Sequence, residues 1–167
     1  MKTRMTVFVA MMFGLAVAAR TFAGSEADKE FLGKAIAAQI AEIKLGELAQ
    51  RNAASADVKN FAKTMVADHT KVRDALLERA KVAKLAVVQG LEGGYKDKVE
   101  RLSKLEGAAF DREYMKTMVE DHQHAVKAFE KHATSATDPE LRKLLTDTLP
   151  RVREHLKHAQ EISGSLK

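Results

Sequence analysis

The chain has no cysteine and no tryptophan, only two prolines, and 5% aromatic residues. Without a thiol there is no disulfide to staple the fold and no acylated cysteine to tether a lipoprotein. Stability must therefore come from a packed core or a bound ion. So few prolines, in a composition rich in Ala, Leu, Lys and Glu, favour helix over sheet throughout. Long apolar runs are lacking too, with one exception. After Met1-Lys-Thr-Arg4 comes a mostly apolar stretch from Met5 to Ala19, followed by Arg20-Thr-Phe-Ala23. A basic start, an apolar run of about 15 residues and small residues near the exit form a secretory signal, too short for a comfortable membrane span. Cleavage is expected after Ala23, with Ala16-Val17-Ala18 as an alternative site. The chain then divides into a signal peptide, 1–23, and one domain, 24–167, that is periplasmic or secreted. No later stretch is apolar enough for an integral span.

An excess of one charge is also missing. The formal net charge of +5 includes Lys2, Arg4 and Arg20, and their loss with the signal leaves 25 basic against 23 acidic side chains. Lys and Arg are interleaved with Glu and Asp rather than gathered on one face, which excludes a nucleic-acid partner. The glycines at 90, 93 and 94 are not followed by Gly-Lys-Ser/Thr, so they form no phosphate-cradling loop. No nucleophile triad or paired-carboxylate geometry can be assembled, and any catalysis would have to be metal-borne. Nothing in the sequence identifies a protein partner.

What is present is helical periodicity with clear punctuation. A first helix should run from Ser25, placed as its cap, to Asn52, and a second from Ser55 to about Lys84. The break is short enough to force them antiparallel. From Ala86 to Glu106 the pattern weakens into a long crossover, with Tyr95 to Leu105 able to form a short helix. A third helix follows from Gly107 to Ala136. Asp138-Pro139 then serves as cap and first position of a fourth, ending near Gly164, with Pro150 expected to bend it or remove a hydrogen bond. Two hairpins joined by a long connection make an all-α, ferritin-like four-helix bundle in which the second and third long helices run parallel.

Threading each helix at three-four spacing gives apolar seams with one polar interruption each. The first is Phe31, Ala35, Ala38, Glu42, Leu45, Ala49, and the second is Val58, Ala62, Met65, His69, Val72, Leu76. The third is Met115, Met118, His122, Ala125, Phe129, His132, and the fourth is Leu141, Leu145, Thr148, Val152, His155, Ala159, Ile162, Leu166. Counted from the turns at about 1.5 Å per residue, Glu42, His69, His122 and His155 fall at one depth near mid-bundle. The stretch Lys63-Thr-Met-Val-Ala-Asp-His69 also returns as Lys116-Thr-Met-Val-Glu-Asp-His122, identical in six of seven positions.

An isolated buried carboxylate or imidazole is costly unless paired or metal-bound. Glu42, His69, His122 and His155 could therefore together hold one transition-metal ion, zinc, iron, manganese or copper. Asp68 and Asp121, adjacent to two of the histidines, would fix imidazole tautomers on neighbouring helices. Met65 and Met118, one turn before His69 and His122, would favour copper if their sulfurs turned inward. The other reading is a metal-free polar layer, in which Glu42 and the histidines satisfy one another and set helix register, in an envelope stress or interaction module. His124, His132 and His158 are expected at the surface or rim.

Four blocks in order carry a family resemblance: Glu42-Ile-Lys-Leu-Gly-Glu-Leu-Ala49; Val58-Lys-Asn-Phe-Ala62 through Met65-Val-Ala-Asp-His69; Phe110-Asp-Arg-Glu-Tyr114 to Asp121-His122; and Leu149-Pro150 with His155-Leu156. From about Ala27 to Ser163 the chain resembles the domain of unknown function 4142. The resemblance implies a ferritin-like fold in exported bacterial proteins with no assigned activity. Such proteins are often labelled outer-membrane proteins, yet a helical bundle is not an outer-membrane barrel. Di-iron proteins of the wider ferritin-like group carry Glu-x-x-His pairs, and none occurs here. Asp121 to His124 is the nearest spacing, so a mononuclear site is the form expected.

Overall fold

Ser25 opens the first helix with a reciprocal cap: its hydroxyl accepts from the Asp28 amide at 3.2 Å, and the Asp28 carboxylate accepts from the Ser25 amide at 3.1 Å. From there α1 spans Glu26–Asn52, and after a three-residue turn α2 spans Ala56–Val82. The crossover carries α3, Gly93–Leu102, which starts earlier and ends sooner than its sequence pattern suggests. Two hairpin partners follow, α4 over Gly107–Ser135 and α5 over Pro139–Ser165. Asp138 caps α5 by accepting from the Leu141 amide at 2.7 Å, with Pro139 in the first helical position. The computed structural model describes residues 21–91 and 93–166, and among these there is no strand. Segment 1–20, most of the expected signal peptide, lies outside the described residues. No described helix is long and apolar enough to cross a membrane.

The hairpins α1–α2 and α4–α5 pack along their lengths, then α2 lies on α5 and α1 on α4. Two apolar clusters fill the ends. One joins Leu48 and Ala49 of α1, Val58 and Phe61 of α2, Phe110 and Tyr114 of α4, and Ala159 and Ile162 of α5. The other joins Leu32 and Ile36 with Leu76, Ala80, Phe129, Leu141 and Leu145. Because the starts of α2 and α4 share a cluster, those helices run parallel, as the long crossover requires. Gly46 permits the close approach of α1 to α2, since a Cβ there would lie 2.7 Å from Val66 Cγ2. The seams hold, with Ala38, Val72, Ala125, His132 and Leu166 only half-buried. On α1 the buried face is wider than its seam and includes Leu32, Ile36, Gln39 and Ile43.

Each hairpin turn is tied down by a carboxylate from the opposite hairpin. Asp111 of α4 accepts from the Ala54 and Ser55 amides at 3.1 and 2.8 Å, which replaces a side-chain cap by Ser55 itself. Asp28 of α1 accepts from the Thr137 amide at 3.0 Å, the Thr137 hydroxyl at 2.7 Å and the Asp138 amide at 3.1 Å. The two sit in matching contexts, Asp28-Lys-Glu-Phe31 and Asp111-Arg-Glu-Tyr114. The match relates the start of α1 to the start of α4. At the Asp28 pole, Thr21 to Ala23 also touch the body: the Arg79 guanidinium lies 5.1 Å above the Phe22 ring, and the Ala23 amide donates to Asp138 at 3.1 Å.

Pro150 lies inside α5 on an exposed position, and the helix continues past it. It can donate no backbone hydrogen bond and crowds the preceding turn, a cost of about 3 kcal/mol that is offset by about 1 kcal/mol of lost unfolded-state freedom. Pro150→Ala is therefore expected to stabilise the protein by about 1–2 kcal/mol in urea denaturation. No change, or a loss, would mean that the turn before His155 needs the proline's shape.

Candidate metal centre

Between the two apolar clusters lies a polar layer. His69 of α2, His122 of α4, His155 of α5 and Glu42 of α1 are all buried there, none more than 7% exposed. The three imidazoles form a nearly equilateral triangle, with ring centroids 5.6 Å apart for His69–His122, 5.5 Å for His69–His155 and 5.6 Å for His122–His155. One ligand nitrogen from each lies within 4.8 Å of the other two.

The outward nitrogen of each ring meets an acceptor. His69 Nδ1 lies 2.7 Å from Gln39 Oε1, His122 Nδ1 lies 2.8 Å from the Met118 carbonyl, and His155 Nε2 lies 3.1 Å from Asp68 Oδ2. An acceptor at one ring nitrogen places the proton there and leaves a lone pair on the other. The nitrogens so freed are His69 Nε2, His122 Nε2 and His155 Nδ1, and each is buried without a hydrogen-bond partner. Glu42 Oε2 and the Tyr114 hydroxyl share that condition. Tyr114 is packed among aromatic rings, stacked on Phe110 at 5.6 Å and edge-on to Phe61 at 6.4 Å.

Burial sets the charges of the layer. It holds His69 well below the ordinary imidazole value, helped by repulsion from the other two rings. His122 is brought down to about 4 by burial and then by His155. His155 is also lowered, burial outweighing the pull of Asp68. All three are neutral at pH 7, the state that ligates metals. Glu42 is pushed up to about 8, first by burial and then by the charge of Asp121. Burial likewise raises the Tyr114 phenol well above its ordinary value, with Glu42 adding to the shift.

These shifts predict a metal-free protein most stable near pH 6.5. The histidines bind fewer protons folded than unfolded, so their contribution is present above the ordinary value of 6.5 and lost as pH falls below it, for His122 through about 4. Glu42 binds more, so its contribution is present below 4.5 and lost as pH rises through about 8. Each net proton tilts stability by about 1.4 kcal/mol per pH unit, and three imidazoles against one carboxyl make the acid flank steeper. Chemical denaturation from pH 4.5 to 8.5 in chelator measures the curve, and a flat profile would contradict the burial of this layer.

Asp68 sits where the sequence places it, on an imidazole of a neighbouring helix. Asp121 does not: both its oxygens take Lys98 Nζ of α3 at 2.6 Å, because its position on α4 faces the crossover helix. The backbone carbonyl of Met118 orients His122 instead. Met65 and Met118 are fully buried in the apolar cluster with Phe61 and Tyr114. Glu42 lies in the layer but outside the tight histidine triad. His124 and His158 are exposed, and His132 is half-buried against Phe31 at 4.0 Å; none joins the triad. Gln39, Tyr114 and Lys98 escaped the sequence reading. Gln39 alone carried a usable signal, one helical turn before Glu42 on the same face.

A cavity of about 310 Å³ between α1 and α4 reaches the layer at Glu42, His69 and His122. A smaller one of about 30 Å³ meets His69 and His155 from the side of Asp68 and Arg151.

Fold and layer together define a class, an all-α protein with a buried cluster of neutral imidazoles. The chain belongs to the family described as domain of unknown function (DUF4142), which matches residues 15–162. No curated protein matches it in sequence. Among solved structures, a DUF305 fragment from Deinococcus radiodurans superposes with a TM-score of 0.76 at 14% identity, covering 86% of this chain and 99% of that one. CopM in the Cu(II)-bound form gives a TM-score of 0.71 at 20% identity over 84% of this chain and 97% of that one. In the Cu(I)-bound form the values are 0.67 and 21%, over 80% and 93%. At these identities the likeness is one of fold.

Proposed function

We propose that this chain is an exported protein with a ferritin-like four-helix bundle that holds one transition-metal ion on His69, His122 and His155. Glu42 stands beside the ion as a charge partner or fourth ligand. The observation that supports this reading is the clustering of unpartnered atoms. Every buried side-chain polar atom without a hydrogen bond among the described residues belongs to the polar layer or to Tyr114 beside it. Three of the five are imidazole lone pairs of one triad. Leaving such groups unpaired costs about 1–3 kcal/mol each, and one ion accepts all three lone pairs at once. A self-contained polar layer requires its members to bond one another, and these do not.

The outward bonds to Gln39, Asp68 and the Met118 carbonyl match the way metal-ligating imidazoles are oriented. Copper is the first candidate, because two neighbours of this fold are described as copper-bound and imidazole suits copper. Zinc, iron and manganese are the competitors. Export rests on the N-terminal sequence pattern. The reading assigns buffering, sensing or simple redox exchange of the ion rather than hydrolytic catalysis.

The test is elemental analysis of protein refolded separately with copper, zinc, iron and manganese and then desalted. One equivalent of a single metal is expected to remain. Substoichiometric retention of all four would end the proposal.

A further inference from the structure

We propose that the cavity between α1 and α4 is a slot for a small, flat, largely apolar molecule that presents one nitrogen or oxygen lone pair to the ion. The inference rests on the ion reading above and adds an exchangeable ligand to it.

The layer is lopsided. His69 and His122 line the large cavity, whereas His155 borders only the small one. An ion on the triad would thus have its free side towards α1 and α4, the arrangement of sites that exchange ligands rather than closed structural ones. The walls of the slot are small: Ala35 and Ala38 of α1 and Ala125 and Ala128 of α4 all line it. Side chains this short leave the space between the two helices unfilled. From Phe31 to Glu42 the lining follows α1 for about 16 Å at 1.5 Å per residue.

The buried polar groups are concentrated at the inner end. There Gln39 is committed to His69 and Asp121 to Lys98, which leaves Glu42 Oε2 unpartnered beside the ion position. At the other end Phe31 and Phe129 meet edge to face at 5.9 Å, an aromatic surface suited to a planar ring. The slot reaches solvent past the exposed Lys34, His124 and Ala128. Its volume of about 310 Å³ falls at the small end of the range for ligand sites. A narrow apolar slot ending at a metal selects a heteroaromatic or phenolic molecule of one or two rings, bound end-on.

Protein loaded with Cu(II), or with Co(II) where zinc is the metal retained, and titrated with 4-phenylimidazole and, separately, with azide tests the idea through the ion's absorption or paramagnetic resonance spectrum. Both probes are expected to shift the wild-type spectrum. Ala38→Leu and Ala128→Leu fill the slot without replacing an ion ligand, and Ala128 is exposed, so that variant keeps the fold. Each should retain its metal and its azide response while losing about tenfold or more in affinity for 4-phenylimidazole. Azide binding without 4-phenylimidazole binding in the wild type would overturn the slot, and so would Leu variants that bind both probes as before. A change of oligomeric state in the Leu variants would overturn it in favour of a second copy as occupant. Metal content measured before any probe is added separates these results from failure of the ion reading, which would remove the slot's ligand chemistry as well.

Discussion

His155→Ala is expected to abolish tight retention of the proposed ion, and with it the thermal stabilisation that a stoichiometric metal would confer on the wild type. His155 is the sharpest of the three tests because its two nitrogens have separate tasks, Nε2 bonded to Asp68 at 3.1 Å and Nδ1 free for the ion. A ligand held about 100-fold above its dissociation constant stabilises the folded state by about 2.7 kcal/mol. For a domain of this length that is about 10 °C in Tm. Wild-type protein should show this rise on adding one equivalent of metal and lose it in chelator. His155→Ala, His69→Ala and His122→Ala should show none of it.

Response to metal, rather than metal-free stability, discriminates. Each substitution removes a buried nitrogen that has no partner, but it also leaves a cavity and breaks the hydrogen bond of the other ring nitrogen, so the metal-free variants should lose about 2 kcal/mol or more. A simple polar layer would give losses of this kind too, but no response to metal in the wild type. Asp68→Ala and Gln39→Ala should retain the ion with about 10–100-fold weaker affinity, because they orient ligands without being ligands. Unchanged metal affinity in all three histidine variants would remove the centre altogether.

The depth of the site was legible because helices convert sequence spacing into length. Glu42, His69, His122 and His155 each interrupt an apolar seam, and counting residues from two turns was enough to bring them to one level. Which carboxylate reaches which imidazole was not legible. Asp68 and Asp121 occupy the same place in a repeated heptapeptide, yet one bonds His155 and the other Lys98. Their neighbours decide this. Asp68 faces α5, whereas Asp121 faces the crossover helix α3, whose placement follows from no local pattern. The role of Gln39 was hidden for a related reason, since a glutamine beside a seam is silent about its partner until the ring next to it is known. The clamps of Asp28 and Asp111 were missed because each joins turns more than 50 residues distant, and an acid in the first turn of a helix has a sufficient local explanation in the helix dipole.

Asp138→Ala should be the most damaging single change outside the site, costing about 3–5 kcal/mol in chemical denaturation. Asp138 is fully buried and serves three groups at once. It takes the Arg79 guanidinium, with Nε to Oδ1 at 2.7 Å and Nη2 on the other oxygen, caps α5 through the Leu141 amide, and accepts from the Ala23 amide. Burial alone would raise its carboxyl, but the hydrogen bonds from Arg79, Leu141 and Ala23 outweigh burial and hold it below the ordinary range. In the full chain alanine leaves Arg79 as a buried charge facing the Thr21 carbonyl at 3.2 Å and the Phe22 ring, and in protein processed after Ala23 these two contacts, like that of Asp138 with the Ala23 amide, leave with the signal segment. That uncompensated charge, more than the lost cap, makes the cost large. Asp138→Asn separates the two, since asparagine still caps a helix and should recover only about 1 kcal/mol of the loss. Pairing Asp138→Asn with Arg79→Met removes the stranded charge and should recover most of the rest. If Asp138→Ala fell within about 1 kcal/mol of wild type, the pole would be wet enough for water to take over the guanidinium. Metal retention should survive in every one of these variants, because among the described residues the hydrogen bonds of Arg79 and Asp138 reach no member of the histidine layer, and the apolar cluster of Leu32, Ile36, Leu76 and Leu141 lies at their end of the bundle.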